Sequence, residues 1–151
     1  MEHDGTRQEA LGRAECLMLL RSVPIGRVVY TDRALPAVRP VAFVLDGDRA
    51  VVVRTAPGSK FDAALRGAVV AFEADAIDPA GLTGWTVTAV GRAQAVTAGP
   101  EAERLAALPL RPWLPGPLDG FIRIVFRSVA GRRLVSRGAP AAAGPLSLQE
   151  G

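Results

Sequence analysis

Histidine, cysteine and lysine occur once each, as His3, Cys16 and Lys60. A lone imidazole in a polar N-terminal stretch supports neither a Ser-His-Asp nor a Cys-His mechanism, because both need that ring held in place. One cysteine makes no internal disulfide, and with one histidine the chain assembles no Cys/His zinc site. Cys16 falls inside an apolar helical pattern and reads as a buried structural thiol. No stretch approaches the roughly 20 apolar residues of a membrane-spanning helix, and Met1–Gly5 lacks the basic and apolar regions of a signal peptide, so a cytoplasmic location is expected. The net charge of +3 rests on arginine and favours anionic partners only mildly.

What is present is enough for one core. At 151 residues with 49% apolar content, the chain has the size of a single domain. Residues 1–10 are polar and aperiodic, and 137–151 are Ala/Gly/Pro-rich, so both read as flexible tails around a domain at 11–136. Ala14, Leu17, Met18 and Leu20 recur at helical spacing and Pro24 follows, which predicts a helix near 12–22. The period then shortens. Val- and Ile-rich runs at Ile25–Thr31, Ala37–Leu45 and Ala50–Thr55, parted by Asp32-Arg33 and Asp46-Gly47-Asp48, read as two hairpins in series. Pro40 cannot donate to a ladder and marks an edge, a bulge or a place where a ligand meets the backbone.

Further strands are predicted at Val69–Ala74, Trp85–Val96 and Phe121–Val129, with short helices at 60–66 and 100–107. In the second of these, Trp85, Val87, Ala89, Gly91 and Ala93 alternate with Thr86, Thr88, Val90, Arg92 and Gln94, one packed face against one polar. Six strands, three short helices and no regular βαβ alternation predict a mainly β fold, a largely antiparallel six-stranded barrel with helical decoration. Arg123, Arg127, Arg132, Arg133 and Arg137 read as a solvated face, so no nucleic-acid partner is expected.

The segment Arg54-Thr55-Ala56-Pro57-Gly58-Ser59-Lys60 ends a strand, turns through Pro-Gly and enters a helix capped by Ser59, with Asp62 three residues on. Free amides at such a start, the Thr55 and Ser59 hydroxyls, and the charges of Arg54 and Lys60 suit a phosphate. The same residues also describe a well-capped surface helix with a solvated lysine. Neither nucleotide-loop glycine pattern is present.

Taken in order, four pieces resemble one family. They are Val23-Pro24-Ile25-Gly26-Arg27-Val28, Arg39-Pro40-Val41-Ala42-Phe43-Val44-Leu45-Asp46-Gly47, the Arg54–Lys60 turn with Ala64-Leu65, and Trp85-Thr86-Val87-Thr88-Ala89-Val90-Gly91-Arg92-Ala93. Across roughly residues 11–134 they resemble the flavin-binding split barrels of the pyridoxamine 5'-phosphate oxidase-like family, especially the small branch that includes nitroimidazole-resistance proteins.

The resemblance implies a six-stranded split barrel, a homodimer with cofactor sites at the subunit interface, and FMN as the usual cofactor, with F420 and FAD as alternatives. It places the phosphate at Arg54, Thr55, Ser59 and Lys60 and the ring along Arg39, Pro40 and Val41, with Trp85, Arg92 and Trp113 as further neighbours. The implied activity is that of a flavin-dependent oxidoreductase acting on a small molecule; a non-catalytic storage or sensing protein and an F420-dependent reductase stand beside it. Two departures matter. Nitroimidazole-resistance proteins generally carry histidine where Arg54 stands, and the C-terminal arginine-histidine motif of the vitamin oxidases is missing.

Overall fold

The computed structural model describes residues 6–111 and 118–136. In chain order the elements are β1 (Thr6–Leu11), α1 (Arg13–Leu20), β2 (Ile25–Asp32), β3 (Leu35–Ala42), β4 (Val44–Asp46), β5 (Ala50–Thr55), α2 (Lys60–Leu65), β6 (Val69–Asp78), β7 (Thr83–Val96), α3 (Gly99–Ala106) and β8 (Gly120–Ser136). The strands form one antiparallel sheet in the order β3-β2-β6-β7-β8-β5-β4, with β1 added along β8. Strands β3 and β4 end that series, yet only Phe43 separates them in sequence. The sheet must therefore curl until its two ends meet, closed there by the chain and not by a hydrogen-bonded ladder. That is a split barrel.

All six predicted strands are found, and two more come from local causes. The run Ala37–Leu45 breaks into β3 and β4 at Phe43, whose amide donates to the Pro24 carbonyl at 3.2 Å and leaves the ladder. The expected N-terminal tail is corrected over residues 6–10, which pair with Arg132–Ser136 as part of β1. The polar sequence there hid the strand because the paired face is only half-buried. The tail expected at 137–151 lies outside the described residues. Pro40 takes the edge predicted for it, since β3 pairs only with β2.

Alternation along β7 is as expected: Trp85, Val87, Ala89, Gly91 and Ala93 are buried and the intervening residues are not. Trp85, Val87 and Ala93 join Val28, Val51, Val53, Phe72, Ile122 and Ile124 in the barrel core, which α1 plugs with Cys16, Leu17 and Leu20. Cys16 is fully buried, and burial pushes its thiol upward. The helix sits so close that a Cβ on Gly131 would stand 2.7 Å from the Cys16 sulfur. A smaller cluster of Val52, Leu105, Leu110 and Phe121 lies on the other face of β5 under α3. Asp46 fixes α3 there: it accepts two hydrogen bonds of 2.8 Å from Arg104 and one of 2.7 Å from Arg123 Nε. Among the described residues no helix is long and apolar enough to cross a membrane.

Candidate functional site

Helix α2 is a single short element whose start is locked by its own side chains. Ser59 accepts from the Asp62 amide at 3.1 Å, the expected cap. The Asp62 carboxylate does not reach back to the Ser59 amide, which donates to Ala56 O. It accepts instead from Gly58 N at 3.1 Å, Thr55 Oγ1 at 3.3 Å and Arg66 at 2.8 Å. Burial alone would raise the Asp62 pKa, but the bonds from Arg66 and Gly58 outweigh it and hold the carboxyl below its ordinary value. Two of the donors assigned to a phosphate, Thr55 and the turn amide, therefore already serve an internal carboxylate. Gly67 closes the helix with a φ of 78°, a left-handed conformation that glycine takes without strain.

The side chains left open at this corner are cationic. Lys60 is exposed and has no partner among the described residues. Arg39 on β3 faces the same side of the sheet as its buried partner Val28 and lays its guanidinium 4.5 Å from the Phe61 ring centroid. Tyr30 packs edge-on against Phe61 with centroids 5.3 Å apart. Arg39, Tyr30 and Phe61 thus form one rim where β3 and β2 meet α2, and Lys60 precedes Phe61 at the start of that helix. Beside it a cleft of about 370 Å³ is lined by Thr31, Asp32, Arg33, Lys60, Ala63 and Ala64.

Period-two alternation separates Arg54 from Thr55. Thr55 points inward and is buried, while Arg54 lies on the α3 side, its guanidinium 5.2 Å from the Phe121 centroid and Nη1 donating to Leu118 O at 3.3 Å. Arg54 Nε is buried without a hydrogen-bond partner, a donor that an acceptor atom of a ligand would satisfy. Val41 is buried in the core and Pro40 is exposed on the outer face, so β3 offers a ligand its edge and not the Val41 side chain. Arg92 is near the end of α2, donating to Gly67 O at 2.6 Å. Trp85 is seven residues away on the same strand, about 23 Å by strand rise, and packs in the core. Trp113 lies outside the described residues.

Three features escaped the residue-by-residue reading. Arg33 and Phe61 enter through the hairpin turn and the helix, and no motif marks them. On the outer face Arg27 reaches Glu73 at 2.7 Å and Asp75 at 3.6 Å. The i, i+2 spacing of the two acids signalled a shared face, but their partner comes from β2.

A family model described as pyridoxamine 5'-phosphate oxidase matches residues 12–133. The chain belongs to the pyridoxamine 5'-phosphate oxidase family. An uncharacterised protein of Mycobacterium tuberculosis is 42% identical over 132 residues, covering 83% of this chain and 85% of that protein. Among solved structures, the FAD-binding protein of Mycobacterium smegmatis superposes with a TM-score of 0.71 at 30% identity, over 83% of this chain and 98% of that one. A conserved protein of unknown function from Corynebacterium diphtheriae gives 0.70 at 36% identity, over 85% and 98%. As a member of this family with flavin-binding neighbours, the chain presents its open cations where β3 meets α2.

Proposed function

We propose that this chain is a flavin-binding oxidoreductase that works as a homodimer and holds the flavin along the β3 edge, with its first phosphate at Ser59 and Lys60. The observation that carries the reading is that Arg39 stacks on Phe61, the residue after the unpartnered Lys60, so that two cations stand at the start of α2 beside an edge strand. The residues fit the group. Lys60 supplies a compact positive charge, Ser59 keeps a hydroxyl hydrogen to donate, and Arg54 Nε is a buried donor in need of an acceptor. Thr55 supports the site indirectly, through Asp62. Family membership and the flavin-binding neighbours point the same way; the Mycobacterium smegmatis relative is an FAD-binding protein, so FAD is compared with FMN and F420 as ligands.

When bound, the flavin supplies the electron transfer, and the protein supplies placement and charge. Arg39 sets a guanidinium beside the edge strand, and Phe61 with Tyr30 keeps the floor of the rim apolar. The homodimer reading rests on the outer face of β3, β2 and β6. There Val38 pairs with Val29 and Val29 with Ala71, and Val38 and Val69 are exposed at 61% and 47%. An exposed apolar stripe beside an unpaired strand edge is suited to a second copy.

Purified protein is expected to retain a yellow cofactor or to bind one of these ligands with micromolar affinity or better. Lys60→Ala should weaken that binding about tenfold, as loss of one charge-assisted contact does. Protein that binds neither FMN, FAD nor F420 refutes the reading. Reduction of the bound flavin by NAD(P)H with turnover of an acceptor distinguishes the enzyme from a storage or sensing protein. Sedimentation should show a dimer that Val38→Asp converts to monomer.

A further inference from the structure

We infer that the cleft between the β2–β3 turn and α2 receives a second anionic group of the flavin, so that the ligand is a diphosphate-bearing flavin and Arg33 is the residue that selects it over the mononucleotide. The inference rests on the flavin reading above and deepens it.

The cleft, at about 370 Å³, is within the range of small-molecule sites, roughly 300–1,000 Å³. Its two cations come from different elements, Arg33 from the hairpin turn and Lys60 from α2. Neither is consumed internally. Lys60 has no partner among the described residues, and the Arg33 side chain is 84% exposed with only Asp32 beside it, Nε to Oδ1 4.0 Å, the outer limit of an ion pair. A single phosphate at Lys60 would leave Arg33 unused across the cleft. A guanidinium presents a planar fork that matches two phosphate oxygens, so a second phosphate linked to the first is the group that two free cations lining one cleft suit.

The surroundings fit the remainder of such a ligand. Ala63 and Ala64 give α2 a wall without bulk, which lets a sugar approach closely, and the Asp32 carboxylate can accept from sugar hydroxyls. Arg33 is also aimed by the backbone. It and Ala34 form the two-residue turn between the paired Asp32 and Leu35, with φ of 52° and 68°. This tight turn type is one that two-residue hairpins favour, and it leaves no long loop to swing the arginine away.

The test is paired titration of FMN and FAD, followed by flavin fluorescence, on the full chain and on Arg33→Ala and Arg33→Lys. Wild type should bind FAD at least tenfold more tightly than FMN. Arg33→Ala should lower FAD affinity about fivefold or more with FMN affinity held within twofold, and Arg33→Lys should recover part of the loss. Equal affinity of the wild type for the two flavins, or equal losses for both in Arg33→Ala, overturns the inference while leaving the flavin reading standing. Failure to bind either flavin removes both. Unchanged thermal unfolding of the exposed-site variants confirms that binding, and not folding, was altered.

Discussion

Asp62 is the residue on which the shape of the candidate site depends, and removing its side chain has a calculable effect. Its side chain is 1% exposed and serves three donors, Thr55 Oγ1, Gly58 N and Arg66. In Asp62→Ala, Thr55, itself 2% exposed, loses its acceptor where water has little access. A buried donor stranded in this way costs about 1–3 kcal/mol. Gly58 is exposed and Arg66 is half-exposed, so water compensates most of what they lose, and together they add about 1 kcal/mol. The total is about 2–4 kcal/mol, which for a chain of this size corresponds to a fall in Tm of about 5–15 °C.

Thermal unfolding followed by circular dichroism measures this at neutral pH and again in acid. Asp62 has a folded pKa below its ordinary value of 3.8. Its charge therefore stabilises the fold above the unfolded value, and that contribution is lost as pH falls through the folded one. The Tm gap between wild type and Asp62→Asn, which keeps the shape and one acceptor, should shrink below about pH 4. An Asp62→Ala variant as stable as wild type, or a wild-type to Asp62→Asn gap unchanged from neutral pH to about pH 3, refutes the idea that this carboxylate organises the turn. Because the same turn carries Ser59 and Lys60, flavin affinity should fall in Asp62→Ala even at temperatures where the variant remains folded.

Glu73 should act with the opposite sign. Burial, reinforced by the neighbouring Asp75 carboxylate, pushes it up to about 7 despite Arg27 at 2.7 Å. Its contribution is present below the unfolded value of 4.5 and lost as pH rises through about 7. The swing is about 3 kcal/mol at most, so Glu73→Gln should flatten the decline of the urea midpoint from about pH 5 to 8 and exceed wild type at the upper end. Asp46→Asn removes the charge and one of the two acceptor oxygens that serve Arg104 and Arg123, and amide exchange in α3 should quicken about tenfold while β7 keeps its protection. Gly131→Val drives a side chain into the Cys16 sulfur and should destabilise by about 3 kcal/mol or more, with partial recovery in the double variant carrying Cys16→Ala.

The parts of the fold that follow from local periodicity were legible in the sequence. Alternation in β7, the Ser59 cap, the Gly67 stop and the edge position of Pro40 each follow from one residue type in one backbone state. Strand β1 was not legible, because a polar strand that pairs along β8 with half-buried faces gives no apolar alternation. The break at Phe43 was not legible either: it is set by the Pro24 carbonyl, which only the fold brings close. At the site, Lys60 and Arg39 stood out by rarity and resemblance. Arg33 did not, since a turn residue becomes interesting only when the turn is seen to overhang α2.

The reading of Arg54 and Thr55 as joint phosphate ligands neglected a constraint that the sequence already contained. Neighbouring residues of a strand point to opposite faces, so one ligand cannot take both side chains from one side of β5. The hydrogen bonds show how the two are divided, with Thr55 spent on Asp62 beneath the turn and Arg54 set beside Phe121 on the α3 side with Nε unused. Strand β5 stops at Thr55, and the chain then turns through Pro57 and Gly58 to Lys60. A ligand that meets both Arg54 and Lys60 must therefore pass around the end of β5. Its length, and not only its charge, decides whether both contacts are made, which is why a flavin with a long anionic tail and a short anion such as free phosphate should respond differently to the loss of Arg54.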